Sequence, residues 1–485
     1  MKTILIRTFK NKFSFYLLLL FIISLFLHLY KLNAFVTFLG DQGRDAIIIK
    51  RILTFEHLPA IGPPTSIGQV YLGPFYYYFM APWLLFSNFN PIGLAIGVAI
   101  LSSLFTVACY IAIKDMFNQK VALFSAIFIT FSSFIIQYSR FSWNPNLLPF
   151  FAFLSFYFIY KSQQKNNIIW YFLGGAFLSF SIQLHYLSLF LIPTTALFLL
   201  IKLLVSKKKV SSFLKGYATL ISSFLLFSIP LVIFDLKHNF LNLNNFISLS
   251  KSSSGIGSGL IKTVYESFFM FNTYVFNAQL NALLVYIILT ALILFLFFSI
   301  KKYSPIGVLF LFFIITFIGI TIYSGQKFPH YFTTVYVFYF VILSYFLSYI
   351  AEIKYSKYLI FAFFSVYIYV NALGYSFLFN KGSNQIEKAK DIANKIYENV
   401  NVEKFVVTSI PQDYSSTTYR YFLEIKGKRP LEKDSLEKGD ELFTVCETEC
   451  NPMGTPQWDV AYFAANKQVG EFTVNNVKIY KLIRE

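Results

Sequence analysis

Acidic side chains are scarce over most of this chain. Of 23 Asp and Glu in 485 residues, 16 lie after residue 380, leaving seven for the first 380 positions. Charged residues make up only 13% of the sequence, against 56% hydrophobic and 20% aromatic, and mean hydropathy is +0.59. That little polar surface excludes a water-soluble globular protein for most of the length, so the greater part must be solvated by lipid. No short-period repeat is found. Cysteine is limited to three positions. Cys109 lies in an apolar run and reads as packing. Cys446 and Cys450 lie in the polar tail, where an oxidising compartment would permit a disulfide; a metal pair has no partner His or Cys nearby.

A net charge of +18 taken alone fits nucleic-acid binding, but its distribution does not. Residues 381–485 hold 15 of the 41 Lys and Arg and are nearly neutral, which leaves 26 basic residues among the apolar stretches of 1–380. Basic residues between apolar runs follow the positive-inside pattern of membrane proteins, and no nucleic-acid partner is expected.

A helix needs about 20 apolar residues to cross the hydrocarbon core. Apolar runs near 13–33, 92–113, 121–138, 147–160, 168–185, 187–204, 216–234, 281–300, 305–323, 331–351 and 358–379 predict about eleven transmembrane helices. The first begins after Lys2, Arg7, Lys10 and Lys12 and is read as an uncleaved anchor, since no small-residue cleavage site follows it. Residues 71–87 (YLGPFYYYFMAPWLLFS) are apolar enough to be a further span. If they crossed, the basic loops at Lys114/Lys120, Lys161/Lys165, Lys207–Lys209, Lys301/Lys302 and Lys354/Lys357 would all face outward, so an interfacial helix on the outer face is expected.

This topology gives a multi-pass protein of the cell membrane with a cytoplasmic N-terminus. It has a transmembrane domain over 1–380, a long first external loop at 34–91 and another at 235–280. The Ser/Gly stretch at 252–259 in the latter lacks the Lys-Ser/Thr ending and preceding strand of a phosphate cradle and reads as a mobile loop. Residues 383–485 read as a small soluble extracytoplasmic α/β or α+β domain, with an amphipathic helix at 384–400 and strands at FVVTSI, ELFTVC and VKIYKLI.

Three of the seven early acidic residues, Asp41, Asp45 and Glu56, fall in FLGDQGRDAIIIKRILTFEH of the first external loop. Carboxylates this scarce and this close to a membrane are functional candidates, and one could take a proton from an acceptor hydroxyl. Alternatively, Asp41 could cap a helix beginning near Gln42, and Asp45 could pair with Arg44 or Lys50 on an exposed face.

An apolar first span followed by FLGDQGRDA, GPPTS and LGPFYYYFMAPWLLF resembles the GT-C membrane glycosyltransferases. The resemblance is strongest to the family 39-like branch, with protein O-mannosyltransferases and lipid A aminoarabinose transferases as relatives. YSRFSWNPNLLPF at 138–150 and GQKFPHYFTT at 325–334 extend it over roughly residues 1–350. It implies a GT-C-like fold and inverting transfer of a sugar from a polyprenyl-phosphate donor to an extracytoplasmic lipid, glycan or protein. Asp41 would be the catalytic base and Asp45 a second carboxylate, with Arg44, Arg140, Asn144, Lys327 and His330 binding substrate. The bland alternative for Arg140 and Lys327 is interfacial anchoring, and for His330 packing. Many relatives carry Asp-Glu where this chain has Asp41-Gln42, and a further Asp where it has Asn144-Pro145-Asn146. No second His or carboxylate stands at ligand spacing beside His330, so neither a metal site nor another cofactor is assigned.

Two other function classes compete. A transporter or flippase for a lipid-linked glycan would show polar or broken mid-membrane helices and paired halves. A non-catalytic envelope scaffold would leave the clustered Asp41 and Asp45 unexplained.

Overall fold

The structure is a computed structural model and describes residues 12–65, 69–165, 167–206, 211–252, 259–300, 304–323, 326–411, 416–432 and 435–484. Most of the Ser/Gly stretch, Lys2, Arg7, Lys10 and the lysines at 207–209 and 301–302 lie outside the described residues.

Each of the eleven apolar stretches contains helix. In chain order the helices used below are α1 (Lys12–Leu29), α2 (Gly40–Leu53), α3 (Phe75–Phe86), α4 (Ile92–Met116), α5 (Gln119–Phe131), α6 (Leu148–Lys165), α7 (Ile168–Leu184), α8 (Leu191–Val205), α9 (Ser211–Lys237), α10 (Leu260–Phe276), α11 (Ala282–Ile300), α12 (Pro305–Ile322), α13 (Tyr336–Ile350) and α14 (Ser356–Ala372). Their starts follow local chemistry. Asn118, Asn167 and Ser304 accept hydrogen bonds from the Val121, Ile169 and Gly307 amides at 3.0, 3.0 and 3.3 Å, satisfying donors a helix start leaves open. Among the described residues, five helical segments are long and apolar enough to cross a membrane: Ile92–Met116, Tyr186–Val205, Phe213–Lys237, Pro305–Ile322 and Pro329–Ile350. The protein is a multi-pass membrane protein, with aromatic rings filling its helical core. Phe271 of α10, for instance, packs 5.7 Å from Phe317 and 4.9 Å from Tyr336. Gly175 lets α7 and α9 approach so closely that a Cβ there would lie 2.1 Å from the Leu220 carbonyl oxygen.

The ambiguous segment at 71–87 forms α3, 12 residues with Pro82 inside it. At 1.5 Å per residue it spans roughly 18 Å, short of the hydrocarbon thickness of about 30 Å. The stretch 235–280, read from sequence as a loop, is helical over Leu241–Ser252 and over α10. On α10 the buried Phe268, Phe271 and Val275, with Asn272 among them, share one face, while the exposed Lys262 and Glu266 interrupt the sequence before them, so no continuous apolar run marked this helix.

The C-terminal domain comprises α15 (Gln385–Asn399), β1 (Phe405–Ile410), α16 (Thr417–Ile425), β2 (Glu441–Cys446), α17 (Trp458–Phe463), β3 (Lys467–Val474) and β4 (Val477–Ile483). The sheet order is β1-β2-β4-β3, with β1 and β2 parallel and the other pairs antiparallel. Parallel pairing of β1 with β2 needs a crossover, and α16 supplies it. All six residues of β2 are buried between its neighbours, as ELFTVC suggests. The sequence reading missed β3, a largely exposed edge strand without a buried run. Asn475 and Asn476, with φ of 49° and 63°, form the tight hairpin that pairs it with β4. Cys446 and Cys450 are disulfide-bonded, with Cα atoms 5.8 Å apart.

Candidate active site

The domain docks beside the first loop. The Asn384 amide donates to the Ala34 carbonyl at 3.0 Å, the Phe38 amide to Gln385 Oε1 at 2.7 Å, and the Tyr421 hydroxyl to the Phe89 carbonyl. Phe89 precedes α4, so the domain and the first loop share one face of the helical bundle. Asp115, at the other end of the 25-residue α4, pairs with Lys161, while Lys120 pairs with Glu352. Asp115 and Glu352, at the opposite end of the bundle from Asp41, are thus engaged in ion pairs.

Helix α2 carries the DQGRDA motif. Its N-cap is Leu39, whose amide donates to Gln42 Oε1 at 3.0 Å. Gln42 therefore closes the helix start, and Asp41, in the first turn, bonds Arg44 rather than capping amides. The Arg44 guanidinium donates to Asp41 Oδ1 at 2.8 Å through Nη1, and to Asp45 Oδ1 at 3.0 and 2.8 Å through Nε and Nη2. The two carboxylates differ sharply: the Asp41 side chain is 47% exposed and that of Asp45 is 0% exposed. Asp45 is thus not on the exposed face considered from sequence; it braces Arg44 from behind. Burial, reinforced by the nearby Asp41 carboxylate and opposed by Arg44, pushes its carboxyl up to about 6. Asp45 Oδ2 is buried and without a hydrogen-bond partner among the described residues, the Tyr77 hydroxyl lying near it but short of a formed bond.

Asp41, Arg44 and Trp143 stand in the wall between two cavities. The larger, about 790 Å³, is also lined by Arg51 of α2, Phe141, and Thr417, Arg420 and Glu432 of the C-terminal domain. The smaller, about 290 Å³, is bounded by Pro63 and Pro64 of the first loop, Asn144, His185, Tyr186, His330 and Tyr331. Asn144 Nδ2 donates to the Leu184 carbonyl at 2.7 Å, tying the 3₁₀ turn Asn144–Leu147 to the end of α7. The His330 ring stands 4.7 Å from Trp143 and 5.8 Å from His185, centroid to centroid. Among the described residues no group of three or more His, Cys, Asp or Glu side chains converges as a ligand set.

Of the residues expected at the site, the structure gathers Asp41, Arg44, Asn144 and His330, with Asp45 directly behind them. It does not bring in two cations. Arg140 is turned the other way: its guanidinium donates to the Leu27, His28 and Tyr30 carbonyls at 2.7, 3.0 and 2.8 Å and lies 3.8 Å over the Phe377 ring. It satisfies the open carbonyls that end α1, and the phosphate contact expected of it is withdrawn. Lys327 precedes the turn Pro329–Val335 and lines neither cavity. Sequence reasoning missed His185, Trp143, Arg51, Thr417, Arg420 and Glu432. His185, one of only five histidines and placed at a span end, was a usable signal. The residues from the C-terminal domain carried none, because only docking brings them near Asp41.

A family model described as dolichyl-phosphate-mannose-protein mannosyltransferase matches residues 72–233. No curated protein matches the chain significantly. Among solved structures, the chain is similar to ArnT from Cupriavidus metallidurans bound to undecaprenyl phosphate, at 13% identity and TM-score 0.62 over 97% of each chain. It is also similar to the archaeal oligosaccharyltransferase AglB from Archaeoglobus fulgidus in complex with an inhibitory peptide and a dolichol-phosphate. There the identity is 14% and the TM-score 0.57, covering 90% of this chain and 69% of that one. From its helical bundle to its docked C-terminal domain, the chain has the fold of the GT-C membrane glycosyltransferases.

Proposed function

We propose that this protein transfers a sugar from a polyprenyl-phosphate carrier to an extracytoplasmic acceptor, with inversion at the anomeric carbon and Asp41 as general base. The observation that carries this reading is the position of Asp41 in the wall common to two cavities. Inverting transfer needs the acceptor and the leaving phosphate on opposite sides of one carbon, with a base on the acceptor side. The larger cavity sets the charged and polar side chains of Arg51, Thr417, Arg420 and Glu432 beside apolar ones such as Ile47 and Phe141, and it has room for a glycan, lipid headgroup or peptide acceptor. The smaller suits the donor's sugar and phosphate, with Arg44, Asn144 and His330 as donors of charge and hydrogen bonds. ArnT bound to undecaprenyl phosphate and AglB bound to a dolichol-phosphate support a lipid-phosphate carrier here.

In the step proposed, Asp41 takes the acceptor hydroxyl proton as that oxygen bonds to the anomeric carbon. The bond from that carbon to the phosphate oxygen breaks, and its electron pair leaves with the polyprenyl phosphate. Arg44, braced by Asp45, sits where it can face both the acceptor and the leaving charge without reorganising. The site face is extracytoplasmic and the N-terminus cytoplasmic, because the opposite face carries Lys114, Lys120, Lys161, Lys165, Lys354 and Lys357. The test is transfer of labelled sugar from polyprenyl-phosphate donors to envelope acceptors by the purified protein. Transfer by the native protein and not by Asp41→Asn supports the reading, and equal transfer by both overturns the role of Asp41.

A further inference from the structure

Helix α16 of the C-terminal domain lies along α2, and the two are tied at both ends. Near their N-termini, Thr417 Oγ1 donates to the Gly40 carbonyl at 2.7 Å. Toward their C-termini, Arg51 Nε and Nη2 donate to the two oxygens of Glu424 at 3.0 and 2.9 Å. Between these ties the backbones touch. A Cβ at Gly43 would lie 2.6 Å from the Thr418 amide nitrogen and 2.7 Å from the Thr417 carbonyl carbon. Those are backbone atoms, and they cannot step aside as a flexible side chain would. The Gly40 carbonyl belongs to the peptide unit that joins Gly40 to Asp41. The Thr417 hydroxyl therefore holds the peptide that begins Asp41, and Gly43 allows that approach two residues later.

We propose that the C-terminal domain is a working part of the active site and that Thr417 is a positioning residue, fixing the first turn of α2 and with it the Asp41 carboxylate. The Arg51–Glu424 pair and the hydrogen bonds at Ala34, Phe38 and Phe89 dock the domain away from the first turn of α2. The contact at Gly40 and Gly43 does something else: it fixes the turn from which the base projects. Displacing a catalytic group by about 1 Å costs on the order of 100-fold in rate. The proposal rests on Asp41 being the base, so its test needs a readout that does not depend on activity.

The experiment uses the full chain in lipid nanodiscs, comparing Thr417→Val, which keeps shape and loses the hydroxyl, with Thr417→Ser, which keeps the hydroxyl. Two quantities are measured: deuterium exchange across residues 40–53, and steady-state transfer from an undecaprenyl-phosphate-linked sugar with donor and acceptor varied separately. In Thr417→Val, faster exchange at the start of α2 is expected, with kcat lowered roughly 10- to 100-fold and both KM values within about twofold. Thr417→Ser should restore both. Wild-type exchange in Thr417→Val overturns the proposal, because the hydroxyl then does not hold the turn. So does a raised acceptor KM at unchanged kcat, which would make Thr417 a binding group. Faster exchange with unchanged kcat also overturns it, since the turn then moves without consequence for the reaction. If the native protein transfers no sugar, the proposed transferase reading fails, and exchange alone decides whether Thr417 fixes the turn.

Discussion

At the scale of single residues, the two carboxylates flanking Arg44 divide the labour through burial alone. Asp41 is open to the cavities; Asp45 is sealed behind it. Asp41→Asn should lower turnover by about 100- to 10,000-fold, the usual worth of a positioned base, with melting temperature nearly unchanged. Parallel turnover and thermal-melt measurements check both halves. Asp45 gives a sharper test, because its effects on stability and on catalysis run in opposite directions with pH. Its folded pKa of about 6 lies above the ordinary carboxyl value of about 3.9. The stability this group contributes is therefore fully present below about pH 4 and lost as pH rises through about 6. On the proposed mechanism the ionised form braces Arg44, so turnover should fall as pH drops through about 6. Asp45→Asn should remove the stability change across that window and lower activity at every pH. A wild-type melting profile in that variant would refute the assignment.

Elements show which parts of the architecture the sequence alone could reveal. Lipid-facing helices announce themselves by length, because a span must cover about 30 Å without polar interruption. Every apolar stretch accordingly contains helix. Helix α10 and strand β3 escaped because each is only half apolar, one being a stripe on other helices and the other a sheet edge. The Asp41 motif was legible for a different reason, the rarity of acid near lipid. Its partners were not, since His185, Thr417 and Arg420 reach it only through packing over long stretches of chain. Arg140 shows the opposite error. An arginine at a span end near the candidate site invites a ligand role, yet three carbonyls at the end of α1 already occupy its guanidinium. Hydrogen bonds of a charged donor are worth about 1.5–3 kcal/mol each and are not additive, so Arg140→Ala should destabilise the fold by roughly 2–4 kcal/mol. Donor KM should stay unchanged among molecules that remain folded. A raised donor KM at native stability would return Arg140 to the phosphate.

For the whole molecule, the proposed topology places the two ends of the bundle in different compartments. Single cysteines at Lys165 and Lys354 should resist an impermeant thiol reagent in intact cells, whereas one at Lys426 of the C-terminal domain should react. Labelling in the reverse pattern would invert the orientation and move the site to the cytoplasm. The nearly half-exposed Asp41 side chain has a further consequence. On the proposed mechanism, a base that an acceptor can reach from an open cavity is also within reach of solvent, so water competes there with the acceptor hydroxyl. When no acceptor is bound, the protein should slowly spill its donor, releasing free sugar and bare lipid phosphate. That leak should vanish in Asp41→Asn and shrink as acceptor is added. Fidelity in such a molecule lies less in excluding water than in keeping the larger cavity occupied.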